Sequence, residues 1–336
     1  MTEENRQAVL LLTSRFSSKK GVFEPLTPTE YGGFALWLHE NNYQPGTLLS
    51  QSDEIAEKWL DPKNKITTER LQYLLGRGLA MSLALEKWQS AGIWNLMRFD
   101  AGYPKQLKKH FGQNAPAVLY GVGDKGLVSK GGLSIIGSRH VDEDDREYTE
   151  KIAKRAALEG FNVVSGGAKG VDETAMLAAL EIDGTALGIM SNDLFRAALS
   201  GKWRKHIRQN NLALISPYYP EAGFNTGNAM GRNKYIYCLS SYALAVRSEE
   251  GKGGTWSGAK ENLKKEWIPL FVKSPSDATG NKALLEMGAQ SLNLPSEEIQ
   301  NNPQAEWLIE KLKALKTDSN NSATEPKIIT EQMELF

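Results

Sequence analysis

The sequence predicts an α/β protein in which a parallel sheet with helices on both faces is preceded by a small helical domain. From residue 132 onwards, short apolar runs alternate with longer amphipathic segments, which is typical of a parallel sheet covered by helices. Before residue 115, apolar residues recur instead at helical spacing. A chain of 336 residues is long enough for more than one folded unit. We therefore expect a Rossmann-like core that follows a helical N-terminal domain.

Residues 1–115 are predicted to be helical. Thr29 opens an apolar face at helical spacing, and a second apolar segment stops at Asp61-Pro62. Thr68 opens a longer helix that ends near Ala91-Gly92. Within this helix, Gly76-Arg77-Gly78 allows two interpretations, a helix-hairpin-helix contact with DNA phosphates or an ordinary turn between helices.

The core is predicted to lie within residues 116–275. Its strands are short apolar segments, its helices lie between them, and such sheets bind ligands at the carboxyl ends of their strands. The predicted strands are Leu133–Ile136, Phe161–Val164, Thr185–Met190, Leu212–Ile215, Tyr242–Val246 and Trp267–Val272, and the predicted helices include 145–159, 171–182, 193–209 and 255–265.

Two segments follow the core. Residues 276–315 are predicted to form a small helical coda, with apolar positions such as Leu284, Trp307 and Leu312. Residues 316–327 have no apolar periodicity and are predicted to be disordered. The tail 316–336 is therefore expected to be a linker that ends in a short apolar stretch.

Composition argues against several classes of protein. Lys+Arg and Asp+Glu balance at 40 each, so DNA binding would need a local cluster of cations. With one cysteine, Cys238, and four scattered histidines, we expect neither a disulfide framework nor a metal site. No apolar run reaches the roughly 20 residues of a membrane span, and the acidic start does not resemble a signal peptide. We expect a cytoplasmic protein.

Two glycine-containing loops follow neighbouring predicted strands, and each carries a cation. Glycine lets backbone N–H groups approach a phosphate, and the helix that follows directs its positive end to the same place. One such loop is commonly an ordinary strand-to-helix turn, whereas two together indicate a polyphosphate or a nucleic-acid backbone. The candidate phosphate contacts are Gly137, Ser138 and Arg139 in the first loop, and Ser165, Gly166, Gly167, Lys169 and Gly170 in the second.

Two further loops extend this pattern. The third spans 228–234 and is cationic, and the fourth spans 251–258 and is rich in glycine. Trp256 in the fourth loop suits either base stacking or core packing. The carboxylates of 142–145 are expected to complement a helix dipole rather than to bind a metal. The candidate contacts in these loops are Arg232, Asn233 and Lys234 in the third, and Gly253, Gly254 and Thr255 in the fourth.

Taken in order, these loops resemble those of the DNA-processing protein A (DprA/Smf) family. Residues 99–107 and 116–121 resemble the segment that leads into that family's core. Gly137-Ser138-Arg139 and residues 165–172 resemble its first two loops, and 232–236 resembles its Arg-Asn-Arg-Ile-Ile segment. The resemblance covers about 30–273, and its specificity lies in the order and spacing of the motifs.

That resemblance implies a SAM-like or helix-hairpin-helix-like N-terminal domain, a Rossmann-like core and self-association as a homodimer. It also implies binding of single-stranded DNA and its delivery to a RecA-type recombinase, in DNA uptake, natural transformation or DNA recombination. Arg139, Lys169 and residues 232–234 match the family's DNA contacts, and neither a cofactor nor an enzymatic activity is expected. Ala175-Met176 stands where the family commonly has Ala-His, which leaves recombinase loading open.

Two other functions remain alternatives on the same architecture. A sensor of a nucleotide-derived ligand in a defence system would use the same loops. A LOG-type nucleoside-monophosphate phosphoribohydrolase would need adjacent glutamates after its glycine-rich loop. Here Thr255 is followed by Trp256, Ser257 and Gly258, and the nearest carboxylate is Glu261.

The last five residues resemble the pentapeptide by which bacterial proteins dock on the DNA polymerase sliding clamp. Gln332 would bond at the edge of the clamp's pocket, and Met333, Leu335 and Phe336 would be apolar anchors. The alternatives are a chance match and a chain end that packs on its own domain.

Overall fold

The computed structural model describes residues 2–59, 61, 65–300 and 302–320. Five α-helices precede the first strand in this part of the chain, and threonines cap several of them. Thr27 forms a capping box with Glu30, and Thr67 accepts a hydrogen bond from the backbone N–H of Arg70. The five helices are α1 (Glu3–Thr13), α2 (Pro28–Glu40), α3 (Leu48–Lys58), α4 (Thr68–Leu75) and α5 (Gly78–Ser90).

One mixed sheet of nine strands forms the centre of the described structure. The strands are β1 (Trp94–Met97), β2 (Val118–Gly123), β3 (Leu133–Ile136), β4 (Val163–Ser165), β5 (Ala186–Ile189), β6 (Leu212–Ser216), β7 (Tyr242–Ala245), β8 (Leu270–Lys273) and β9 (Gln290–Leu292). Their order across the sheet is β1-β2-β6-β5-β4-β3-β7-β8-β9. Strands β3 to β9 are all parallel to one another. At the β6 edge, β2 pairs antiparallel with β6, and β1 pairs antiparallel with β2.

The winding of the chain creates a switch point between β3 and β7. The chain runs from β3 through β4 and β5 to β6 on one side, and then returns to place β7, β8 and β9 on the other side. Strands β3 and β7 are paired from Leu133 with Tyr242 to Ile136 with Ala245. The connections on either side of this pair diverge, so a crevice opens outside the carboxyl ends of β3 and β7.

Helices cover both faces of the sheet, and β3 and β5 to β7 are buried along their whole length. This confirms the expected Rossmann-like core. The helices are α6 (Lys105–Phe111), α7 (Glu143–Leu158), α8 (Val171–Glu181), α9 (Leu194–Leu199), α10 (Gly201–Arg208), α11 (Thr226–Cys238), α12 (Gly253–Lys265), α13 (Thr279–Glu286), α14 (Glu297–Gln300) and α15 (Trp307–Asn320).

The N-terminal helices pack directly on the sheet. One continuous apolar cluster includes Phe34 and Trp88 from the helices and Leu214 from β6. The Trp88 and Tyr120 rings meet edge to face at 5.3 Å, and the Tyr120 hydroxyl donates a hydrogen bond to the Ser14 hydroxyl at 2.5 Å. The helical part of the chain is therefore fixed against the same sheet that carries the candidate loops.

Two strands lie in segments that were predicted to be helical. Strand β1 falls within 1–115, and its four residues are too few to show the alternation of apolar and polar residues that indicates a strand. It pairs with β2, and Trp94 lies opposite Gly121, whose lack of a side chain leaves room for the Trp94 ring. Strand β9 falls within the predicted helical coda and extends the sheet beside β8. The sheet thus extends beyond both predicted boundaries of the core.

Three helical predictions also need correction. The predicted helix from Thr68 is two helices, α4 and α5, because Gly76 and Arg77 interrupt it, and the helix predicted at 193–209 is broken at Ser200. Helix α15 runs to Asn320, into the segment predicted to be disordered.

The clamp-like residues Gln332, Met333, Leu335 and Phe336 lie outside the described residues. No helix in the described ranges is both long and apolar enough to cross a membrane.

Candidate functional site

A cleft of about 480 Å³ lies at the switch point, outside the carboxyl ends of β3 and β7. The loop after β3 at 137–139 forms one wall, and α11 forms another. The segment 247–252 and the first turn of α12 close the third side. Three of the four candidate groups therefore meet at one place, which we call the switch-point cleft.

One of these three groups, predicted as the fourth loop of the sequence, forms the first turn of α12. Gly253, Gly254 and Thr255 were predicted as a loop, but the helix begins at Gly253, where φ is +77°. Lys252 precedes it, and no side chain in the described structure caps this helix end. The first N–H groups of α12, with the positive end of its dipole, are therefore available to an anionic ligand in the cleft. Trp256 is buried, which supports core packing over base stacking.

The backbone N–H groups of the second loop bond to the Asp172 carboxylate, so they are not available to a ligand phosphate. The backbone N–H of Gly166 donates to Asp172 Oδ2 at 3.1 Å, and the N–H groups of Gly137 and Ala168 also bond to this carboxylate. Burial raises the pKa of the Asp172 carboxyl, while nearby Arg232 and these hydrogen bonds oppose that effect. Asp172 thus occupies the position that we expected a ligand phosphate to take.

Two other residues of this loop have structural roles. Ser165 is fully buried, and its hydroxyl donates to the carbonyl oxygen of Ile135 at 2.6 Å. The prediction that Ser165 contacts a ligand phosphate is therefore wrong. Gly170 has φ +91°, and a Cβ atom there would collide with the backbone of Ser138 and Arg139. The glycines let the first two loops approach each other.

The third candidate group lies inside α11, not in a loop before a helix. Asn225 caps this helix by accepting a hydrogen bond from the N–H of Asn228 at 3.1 Å, so residues 232–234 lie about two turns into it. Consecutive residues of a helix point about 100° apart, so the three side chains diverge. Lys234 lies over the Phe111 ring at 5.1 Å, outside the cleft, which corrects its predicted place.

The other two members of this group do line the cleft. Arg232 is buried, and its Nη1 donates to the carbonyl oxygen of Ile189 at 2.7 Å. Burial lowers the pKa of this guanidinium, although Asp172 acts in the opposite direction. Asn233 Nδ2 donates to the carbonyl oxygen of Gly254 at 2.9 Å and so joins α11 to the first turn of α12. Both residues stiffen the floor of the cleft.

Arg139 and Lys169 are exposed, as the candidate site requires, and neither has an ion-pair partner among the residues described. The Arg139 guanidinium lies over the ring of Phe224, which is 60% exposed and lines the cleft. Lys169 lies in a neighbouring depression of about 820 Å³, which Arg139 also lines. Sequence reasoning missed Phe224, because it stands in a segment without strand or helix periodicity.

The carboxylates at the start of α7 are neutralised by the protein's own cations. Oxygens of Asp142, Asp144 and Asp145 lie within 4.8 Å of one another, a grouping that suits a cation. Lys273 Nζ lies 2.5 Å from Asp144 and 2.6 Å from Asp145, and Arg247 bonds to Asp142 and Asp145. Asp142 is also the N-cap of α7, as the dipole interpretation predicts.

The fold and the cleft define an open-sheet α/β protein that presents arginine side chains and a helix N-terminus at its switch point. Residues 94–302 match the family model for DNA recombination-mediator protein A. The chain therefore belongs to this family, the DprA/Smf family, which confirms the resemblance seen in its motifs.

Similar proteins agree with that assignment. The chain is 26% identical over 214 residues to the DNA processing protein DprA of Bacillus subtilis, an alignment that spans 62% of this chain and 71% of that protein. It is 26% identical to the Smf protein of a Synechocystis strain, of which it spans about half, 53%.

Two solved structures share the fold. DprA from Streptococcus pneumoniae superposes with a TM-score of 0.65 at 17% identity and covers 87% of this chain and 95% of that chain. DprA from Helicobacter pylori superposes with a TM-score of 0.52 at 25% identity, and the superposition covers 67% of this chain and 96% of that chain.

Proposed function

We propose that this chain binds single-stranded DNA in the switch-point cleft and holds the strand without chemical change. The observation that carries this proposal is the contact between Arg139 and Phe224, in which an exposed guanidinium lies beside an exposed aromatic ring. Cations that follow the phosphates and rings that stack on the bases are the two components of sequence-tolerant binding to a single strand. The related DprA from Helicobacter pylori has a single-stranded DNA-binding mode, which supports the proposal.

The distribution of cations favours a polymer over a small nucleotide. The N–H groups that would enclose the phosphate of a nucleotide are bonded to Asp172. The exposed cations lie instead at the rims of two adjoining depressions, with Arg139 at both and Lys169 at one. Successive phosphates along a strand can contact both cations at the same time. This arrangement supports DNA over the nucleotide-sensor alternative.

The carboxylates near the cleft support binding rather than catalysis. Asp172 is buried and bonded to the backbone, and Glu249 is exposed beside Lys252. Glu261 lies two turns into α12 and is not among the residues that line the cleft. A pair of positioned carboxylates, which hydrolysis of a glycosidic bond requires, is therefore not assembled by the residues lining this cleft.

A titration of single-stranded DNA in a gel-shift assay, beside a thermal-shift screen of nucleotides, tests this function. We expect salt-sensitive DNA binding and no turnover of a nucleoside monophosphate. A nucleotide that stabilises the protein, together with no DNA binding, would favour the sensor. Hydrolysis of a nucleoside monophosphate that is lost in Glu261→Gln would favour the phosphoribohydrolase. Self-association and delivery of the strand to a RecA-type recombinase are further parts of the proposal, and they rest on the family resemblance alone.

A further inference from the structure

A second cavity, of about 830 Å³, adjoins the switch-point cleft on the side of the N-terminal helices. One wall is the chain between Thr13 and Pro28, which connects α1 to α2. The other wall is the segment 217–228, which connects β6 to α11. Phe224 lines both cavities, so the two meet at its ring. We call this second cavity the lateral groove.

The charges along the lateral groove suit a polyanion. Arg15, Lys20 and Glu24 are the charged residues that line it, and Arg15 forms an ion pair with Glu24. Lys19 and Lys20 are exposed, and neither has an ion-pair partner within the described ranges. The one acidic side chain of the groove is thus already neutralised, while Lys20 lines the groove and Lys19 precedes it in the chain, both unpaired among the described residues.

Aromatic side chains line the opposite wall. Tyr218 and Tyr219 are half-buried and follow β6 directly, and the Tyr218 hydroxyl donates to the carbonyl oxygen of Asn228 at 3.1 Å. With Phe224 at the junction, aromatic rings therefore continue from the cleft into the groove. Aromatic rings across a groove from unpaired cations are the two components of a surface that binds a single strand by stacking its bases and contacting its phosphates.

We propose that the single strand continues from the switch-point cleft, across Phe224, into the lateral groove, so that the N-terminal helical region provides a second DNA subsite. This inference rests on the proposed function. Each cavity alone has the volume of a site for a small ligand, whereas only a polymer occupies both at once. The occupant is therefore the same strand that the cleft binds, held by Lys19, Lys20 and Tyr219.

The length of the bound DNA tests this subsite. Fluorescence anisotropy of the full chain would compare an oligothymidylate of about 6 nucleotides, which fills the cleft, with one of about 18 nucleotides, which also reaches the groove. In the double variant Lys19→Ala/Lys20→Ala, we expect unchanged affinity for the short strand. For the long strand, each lost phosphate contact lowers the salt slope by about 0.7, which corresponds to about 5-fold weaker binding at about 0.1 M salt.

A matched control is Lys264→Ala/Lys265→Ala, which removes the same charge from the far end of α12, about 18 Å along the helix from the cleft. This control should bind both strands like the wild type. Tyr219→Leu should weaken the long strand alone, with its fold checked by thermal unfolding. Equal affinity of Lys19→Ala/Lys20→Ala and the wild type for the long strand would overturn the subsite and leave the groove to a protein partner. Failure of the wild type to bind either strand would instead overturn the proposed function.

Discussion

The guanidinium carbon of Arg139 lies 5.5 Å from the centroid of the Phe224 ring. Arg139 belongs to the loop after β3, and Phe224 belongs to the connection between β6 and α11, so the contact joins two segments that are far apart in sequence. An exposed cation–π contact contributes about 0.5–1 kcal/mol, little enough for a base or a phosphate to replace it. The pair therefore places a cation and an aromatic ring side by side and leaves both accessible, as the proposed contacts with phosphates and bases require.

Arg139→Ala and Lys169→Ala should each weaken binding of single-stranded DNA, whatever its sequence. Both side chains are exposed cations at the rims of adjoining depressions, and each is expected to neutralise one phosphate. The slope of log affinity against log salt should fall by about 0.7 in each variant. Titrations at several salt concentrations measure this slope. An unchanged slope in both variants would place the DNA path elsewhere on the protein.

Phe224→Leu should weaken binding by about 1–3 kcal/mol, because leucine keeps the apolar surface but loses the ring on which a base stacks. Phe224→Trp is the matched control, since it keeps a stacking surface and should retain affinity. The ring is 60% exposed, so the free energy of unfolding should change little in either variant. Equal DNA affinity of the leucine and tryptophan variants would exclude stacking at this position.

Gly170→Ala should destabilise the fold and also weaken DNA binding. Its φ of +91° strains any L-residue by about 1–3 kcal/mol, and the new Cβ atom would push on the backbone of Ser138 and Arg139. Gly160→Ala is a control, because its φ is also positive at +79° but nothing lies within 4 Å. Chemical denaturation and DNA titration of both variants would separate the two effects. If both glycine variants lose DNA binding equally, the approach of the two loops is not what positions Arg139.

Asp172→Ala should cost about 3–5 kcal/mol in the free energy of unfolding. The substitution removes the acceptor for the N–H groups of Gly137, Gly166 and Ala168, and it removes the negative group beside the buried Arg232. Glu173→Ala, one residue further along α8, breaks a partly exposed ion pair with Lys202 and should cost less than about 1 kcal/mol. Urea denaturation measures both, and similar small losses would show that Asp172 does not organise the loop.

Docking of residues 332–336 on the sliding clamp stays a prediction, since these residues lie outside the described residues. A peptide of residues 326–336 should bind the clamp with a Kd in the micromolar range, about −8 kcal/mol. Leu335→Ala/Phe336→Ala should abolish clamp binding of the full chain while DNA binding remains. Retained clamp binding in this double variant would show that the pentapeptide is not the docking segment.

The sequence allowed a correct prediction of the sheet's parallel core, because buried strands such as β3 and β7 are apolar along their whole length. It also indicated that Arg139 and Lys169 follow adjacent strands. It did not reveal that Arg232 and Lys234 point apart, because Gly227 and Gly231 are typical of a loop, although both lie inside α11. Likewise, the role of Asp172 depends on N–H groups from two loops, which only the folded backbone brings together.

The place of Asp172 has a consequence for how a strand would move through the protein. Backbone amides hold a phosphate in one fixed geometry, but here those amides are bonded to the protein's own carboxylate. In the proposed complex, the phosphates near this loop therefore meet the ends of long side chains such as Arg139 and Lys169, and backbone amides remain available only at the start of α12. Because long side chains adapt to the position of a phosphate more readily than fixed amides do, we expect the proposed site to let a bound strand shift along the protein.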